Sequence, residues 1–200
     1  MTLASQRKLS FTEFLAQCPE DGFYELVNGE IVRILATRHH EDIADFIADI
    51  FKAEVSRCQM NYKVSDRIVL ATQTETGQEQ GRHPDVSVVD QTLWRANRTA
   101  YTALREPIQL AVEVVSTNWE DDYEDKLDEY QRLGIPEYWI VDYLTLGSRA
   151  YLGFPKQPAI FVYQLDAQGH YQYQRYQEPD HIQSPTFPDL QLTLAQILTA

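Results

Sequence analysis

The run LAVEVV (110–115) places a single carboxylate, Glu113, inside an otherwise apolar strand. A carboxylate in a buried strand is costly to desolvate unless it is paired or holds a metal. Any fold this chain adopts must therefore bring Glu113 a partner. A second carboxylate, Asp85, follows Pro84 and opens the short run DVSVV (85–89). Two such carboxylates on neighbouring strands would make a hard-cation site, since Mg²⁺ takes a couple of carboxylates plus water and substrate phosphate. The backbone carbonyl of Val114 would be a third protein ligand. Lys126, thirteen residues beyond Glu113 and on the next predicted helix, would reach back over the strand end to face a developing phosphoryl charge. A plainer reading stands beside each. Asp85 after proline is also an ordinary strand-end residue, and Glu113 would also be satisfied by an ion pair with Lys126 or an arginine.

The surrounding pattern predicts an α/β (α+β) chain. Ser10 and Glu13 have capping-box spacing, so a short helix opens at Phe11 and runs to Cys18. FYELV (23–27), Asn28-Gly29 and EIVRIL (30–35) read as a hairpin, because Asn-Gly supplies the positive φ angles of a type I′ turn. From His40 to Cys58 a stripe of Ile43, Phe46, Ile47, Ile50, Phe51 and Val55 has helical period. Strands are expected at 62–71, 85–89, 109–115 and 137–143, with an exposed loop over 72–82. A helix is expected over 121–133, ended by Gly134 at C′ and by Ile135-Pro136. Strands at 159–165 and 170–176 and a last helical turn, TLAQIL, complete one mixed central sheet flanked by helices, with an antiparallel extension at the C-terminus.

Composition narrows the function. A chain of 200 residues fits one domain, 1–200, with a sizeable core. Seventeen basic against thirty acidic residues give a net charge of -13, which argues against bulk electrostatic attachment to DNA but not against a local basic groove. Two cysteines, Cys18 and Cys58, rule out a disulfide framework and a four-thiolate zinc site. The opening MTLASQRKLSFTEF shows no secretory pattern, and no apolar run has the length of a membrane span, so a cytoplasmic protein is expected. Glycine-rich phosphate loops and nucleophile elbows are absent from the sequence.

The ordered set HPDVSVVD (83–90), LAVEVVS (110–116) and DKLDEYQRLGIPEYWIVD (125–142) resembles the PD-(D/E)XK nuclease superfamily. More narrowly, it resembles the restriction endonuclease family called Uma-two, also filed as a domain of unknown function. FTEFL…YELVNGEIV (11–32) and SPTFPDLQLTLAQIL (184–198) fit the same pattern, so the resemblance spans nearly the whole chain. It implies a restriction-endonuclease-like fold and a Mg²⁺-dependent endonuclease, with Mn²⁺ as a substitute and DNA favoured over RNA. Asp85 corresponds to the aspartate of the PD element and Glu113 to the acidic residue of (D/E)XK. Glu25 matches an upstream glutamate that completes the acidic cluster. The motif's lysine position holds Val115 here, and the family's displaced lysine matches Lys126. A homodimer is also implied, since such enzymes commonly cut two strands with paired subunits.

Other features weigh on that reading. The segment from Glu113 to Glu129, both included, carries eight acidic residues and one lysine. Glu120, Asp121, Asp122 and Glu124 are expected to form a helix start and its solvent face, where the macrodipole favours them; turned inward, they would repel a phosphate. Arg95 and Arg98, near Trp94 and Tyr101, together with Arg38, His40 and Arg82, are the candidate nucleic-acid contacts. His39, His40 and His83 lack the spacing of a zinc site. Asp142 reads as a structural acceptor, and Tyr138 and Trp139 as core. The runner-up to a nuclease is a degenerate restriction-endonuclease-like fold turned to binding or assembly, on the strength of Val115 and the net charge. Hydrolysis of a small phosphate ester is a third reading.

Overall fold

The computed structural model describes residues 7–200; the first part of the N-terminal leader reading, residues 1–6, lies outside the described residues. In chain order the elements are α1 (Phe11–Gln17), β1 (Tyr24–Val27), β2 (Glu30–Arg33), α2 (Arg38–Arg57), β3 (Tyr62–Ser65), β4 (Val69–Gln73), β5 (Glu79–Arg82), β6 (Val86–Asp90), α3 (Gln91–Ala96), β7 (Ala103–Leu104) and β8 (Leu110–Val114). A π-helical turn (Asp121–Asp125) then runs into α4 (Lys126–Leu133), followed by β9 (Glu137–Asp142), α5 (Arg149–Leu152), β10 (Ala159–Leu165), β11 (Tyr171–Tyr176) and α6 (Leu194–Leu198).

Local chemistry accounts for the element ends. Ser10 accepts from the Glu13 backbone and the Glu13 side chain reaches back, which completes the capping box that starts α1. Asn28 and Gly29 take φ values of 53° and 87°, the twist a two-residue hairpin between β1 and β2 demands. Thr37 caps α2, and Gly134 closes α4 with φ 87°, a conformation a side chain would resist.

The central sheet has six strands in the order β11-β10-β9-β8-β6-β3, with β8 and β9 parallel and the other pairs antiparallel. It is mixed and ends in the antiparallel β10–β11 extension, as expected. A second sheet, β2-β1-β5-β4-β7, was not legible in the sequence. It arises because the 62–71 run is two strands in two sheets: β3 pairs with β6, while β4 pairs with β5. The charged pair Asp66-Arg67 breaks the run between them, with the Arg67 backbone bound to the Ser65 hydroxyl.

The loop expected over 72–82 is corrected. Only its middle is a turn, and Glu79–Arg82 is a strand whose Gln80 and Arg82 are buried. Its polar composition reads as solvent-facing, but Gln80 bonds Asn28 and Arg82 bonds carboxylates inside the protein. Polar satisfaction takes the place of hydrophobicity in this strand.

Both faces of the central sheet are covered. One packs on α2 and α6 through Ile43, Ile47, Phe51, Val86, Val88, Val112, Val114, Trp139 and Val141. The other packs under α4 and its π turn through Val89, Ala111, Tyr123, Tyr130, Tyr138 and Ile140. Strand alternation thereby commits Glu113, between Val112 and Val114, to the α4 face. Trp139 and Tyr138 are core residues, fully buried on opposite faces. No described helix is long and apolar enough to cross a membrane.

Candidate active site

Asp85 sits immediately before β6 and Glu113 near the end of β8, two strands that pair antiparallel. Asp85 Oδ2 accepts from the Val114 backbone N–H at 2.7 Å, which locks the two carboxylate positions together across the strand end. Lys126 reaches back from the first turn of α4 and donates to Glu113 Oε2 at 2.8 Å, while Tyr130, one helical turn on, donates to Glu113 Oε1 at 2.6 Å. The same ammonium stands 3.2 Å from Asp122 and 3.7 Å from Glu25. Asp85, Glu113, Lys126 and Glu25, drawn from four segments of the sequence, thus share one pocket of about 370 Å³.

A buried network supports this cluster from behind. Arg82 makes a bidentate pair with Glu129 at 2.7 and 2.8 Å and reaches Glu25 at 3.5 Å. Thr72 donates to Glu129 as well. Glu25, carried in by β1, also accepts the His83 backbone N–H at 3.0 Å. Because β1 and β5 belong to the second sheet, that sheet positions the glutamate and the arginine against the first.

Several placements correct the sequence reading. Arg82 is 1% exposed and spent on two carboxylates, so it offers nothing to a nucleic-acid strand. His40 is also buried: its Nε2 lies 2.9 Å from the Val114 carbonyl and 3.3 Å from Asp85, at the pocket wall. Arg38 beside it is exposed. The acidic helix start is not all solvent face. Asp122 turns inward to Lys126, and Asp121 lines the pocket. The π turn accounts for this, since its wider winding precedes the point where Lys126 must face the sheet. Arg95 and Arg98 are exposed and line a different cavity. Asp142 accepts from the Leu146 and Gly147 backbone and from Tyr123, which is a structural arrangement.

The site's electrostatics are unbalanced. Among the described residues, Glu25, Asp85, Glu113, Asp122 and Glu129 face only Lys126 and Arg82 as permanent cations. Burial raises Glu113 well above the ordinary carboxylate range, against the opposing pull of Lys126. Burial likewise pushes Asp122 up to about 6. For Lys126, burial alone would favour the neutral amine, but Glu113, Glu25 and Asp122 outweigh it and hold the ammonium charged. His40 is raised because bonding to Asp85 overcomes its desolvation.

Among the described residues no three metal-ligating side chains converge at ligand distance. Glu25 and the Val114 carbonyl already accept bonds from Arg82, His83 and His40, and both oxygens of Glu113 accept, from Lys126 and Tyr130. Asp85 differs: its Oδ1 takes no hydrogen bond among the described residues, and its side chain is 18% exposed toward the pocket. An excess of carboxylate beside one open carboxylate oxygen fits a hard cation that keeps most of its water, as Mg²⁺ does. Glu129, Tyr130 and Asp122 were not singled out from sequence as site residues. The signal existed: 122, 126, 129 and 130 have helical spacing, so an inward stripe of polar side chains was written into α4.

The comparisons agree with this architecture. A family model named Uma2, described as "Putative restriction endonuclease", matches residues 11–195. No curated protein matches the chain. Among solved structures, a protein from Anabaena variabilis ATCC 29413, titled "a putative nuclease belonging to DUF820", superposes with a TM-score of 0.71. It is 14% identical, over 96% of this chain and 98% of that one, and at that identity the likeness speaks for the fold.

Proposed function

The chain belongs to the Uma2 family, and we propose that it is a metal-dependent endonuclease that hydrolyses phosphodiester bonds of nucleic acid, DNA in preference to RNA. The observation that carries this reading is the convergence of Asp85, Glu113 and Lys126 at one strand end, with Lys126 Nζ 2.8 Å from Glu113. The set is that of the PD-(D/E)XK pattern, with the lysine supplied from α4 in place of Val115.

Asp85 would hold Mg²⁺ through its open oxygen, and Glu113 would join it by sharing an oxygen now bonded to Lys126 or Tyr130, with Glu25 and the Val114 carbonyl alongside. Bound there, the ion would supply a water of lowered pKa and polarise the scissile phosphate. Lys126 donates one hydrogen bond to Glu113 and is ion-paired with Asp122 at 3.2 Å. The ammonium stands 3.7 Å from Glu25, beyond hydrogen-bond reach, and its remaining donor capacity would meet a phosphate oxygen or orient the attacking water. It would thus offer a fixed positive charge to the negative charge that develops as water adds to phosphorus and the P–O bond breaks. His40 is a positioning residue: it braces Asp85 and the Val114 carbonyl together. Tyr130 does the same for Glu113.

The test is cleavage of supercoiled plasmid, single-stranded DNA and RNA with Mg²⁺ or Mn²⁺, with Glu113→Gln protein purified in parallel. Metal-dependent cutting by the wild type that is lost in the variant is the expected result. Equal cutting by both proteins, or none by either, contradicts the proposal and favours the degenerate fold.

A further inference from the structure

The largest cavity described, about 780 Å³, shares no residue with the acidic pocket. It is bounded by α3, the turn that leads to β7, and the edge of α1, and its charge is opposite to that of the molecule. Four of the chain's seventeen basic residues, Lys63, Arg95, Arg98 and Arg105, line it against one acid, Glu106. Arg105 is committed to Glu79 at 3.2 Å. Lys63, Arg95 and Arg98 form no ion pair with any described residue, in a chain whose acids outnumber its bases by thirteen.

Aromatic side chains are interleaved with these cations. Lys63 Nζ lies over the Trp94 ring at 5.2 Å. Tyr101, 68% exposed, stands on the same cavity and is among the most exposed large side chains of the described residues. In α3, Trp94 is half-buried with its body against the core, and Arg95 beside it is exposed. Cations without an acidic partner beside an exposed tyrosine match a strand whose phosphates and unstacked bases alternate. A duplex would offer the phosphates but keep its bases stacked.

We infer that this groove is a binding track for a single-stranded stretch of nucleic acid, separate from the acidic pocket. The choice of polyanion rests on the nuclease reading; the groove and its charge do not. Lys63, Arg95 and Arg98 meet phosphates, while Tyr101 stacks a base and Trp94 supports Lys63 from below.

The experiment is fluorescence anisotropy of a labelled oligothymidylate with the full-length protein at low salt in EDTA, where no metal-dependent cleavage can occur. The arginines are exposed, so the double variant Arg95→Glu/Arg98→Glu is expected to fold, which its circular dichroism and melting curve check. It should bind about tenfold or more weakly, and the slope of log K against log salt should shrink by about 1.4, the counterion contribution of two phosphate contacts. Tyr101→Ala should weaken binding about fivefold with the slope unchanged. Wild-type affinity in the charge-reversed variant overturns the inference, as does absence of binding by the wild type. Tighter binding of a duplex of equal length overturns the single-strand assignment. Plasmid cleavage reports separately: binding at the groove without cutting sinks the nuclease reading alone, and cutting with an unaffected variant sinks the groove alone.

Discussion

β6, β8 and β9 send alternate side chains to opposite faces of the central sheet, and the two faces are chemically unlike. Toward α2 the sheet presents Val86, Val112 and Trp139 to Ile47 and Phe51, and the contact is almost wholly hydrocarbon. Toward α4 the same strands present Glu113 and Tyr138 to Lys126, Asp122 and Tyr130. A hydrocarbon face gains stability from every group it removes from water. The α4 face buries charge that is only partly repaid, as the upward displacement of Glu113 and Asp122 records. One face therefore accounts for stability, and the other is the candidate for chemistry.

That contrast is open to attack by substitution, from the largest effect on stability to the smallest. Phe51→Ala removes a fully buried ring packed on Trp139 and Phe187, at a cost of about 3–5 kcal/mol, read by chemical denaturation. Cleavage per folded molecule should be unchanged. Arg82→Ala leaves Glu129 buried without its cation and should cost about 3 kcal/mol; Arg82→Met combined with Glu129→Leu should recover most of it. If the double substitution is no better than the single, the network is not the costly charge cluster described here. Tyr130→Phe withdraws one donor from Glu113 and should cost about 1 kcal/mol while slowing cleavage. Glu113→Gln removes one of five carboxylates from an over-acidic cluster, so its stability should stay within about 1 kcal/mol of wild type, or exceed it, while cleavage disappears. A large loss of stability there would make Glu113 a structural residue and erase the distinction between the faces.

Much of the framework was legible because it is written in period and punctuation. Helix α2, the Asn28-Gly29 hairpin and the Gly134 stop each follow from short-range rules that tertiary packing reinforces. Asp85, Glu113 and Lys126 stood out because a carboxylate in an apolar strand demands a partner, and the structure brings Lys126 to Glu113. What escaped reading is polar residues that are buried. Glu79–Arg82 looks like loop because its composition is hydrophilic, yet Arg82 and Gln80 are satisfied inside the protein. Asp122 looks like a solvated helix start because the macrodipole favours acids there, yet the π turn rotates it onto Lys126. His40 and Arg82 look like phosphate contacts because cations are usually exposed, yet both brace carboxylates. For Gln80, Arg82 and His40 the partner lies far away in sequence, so one-dimensional pattern carries no trace of the pairing; Asp122 and Lys126 are only four residues apart, and there the helical spacing was the available signal.

The account rests on the claim that the acidic pocket is a cation site, and Mn²⁺ titration followed by electron paramagnetic resonance of the free ion tests it without reference to any substrate. Wild-type protein should bind Mn²⁺, with Mg²⁺ competing, and Asp85→Asn should lose that binding while keeping its fold. Failure of the wild type to bind, or undiminished binding by Asp85→Asn, would contradict the claim.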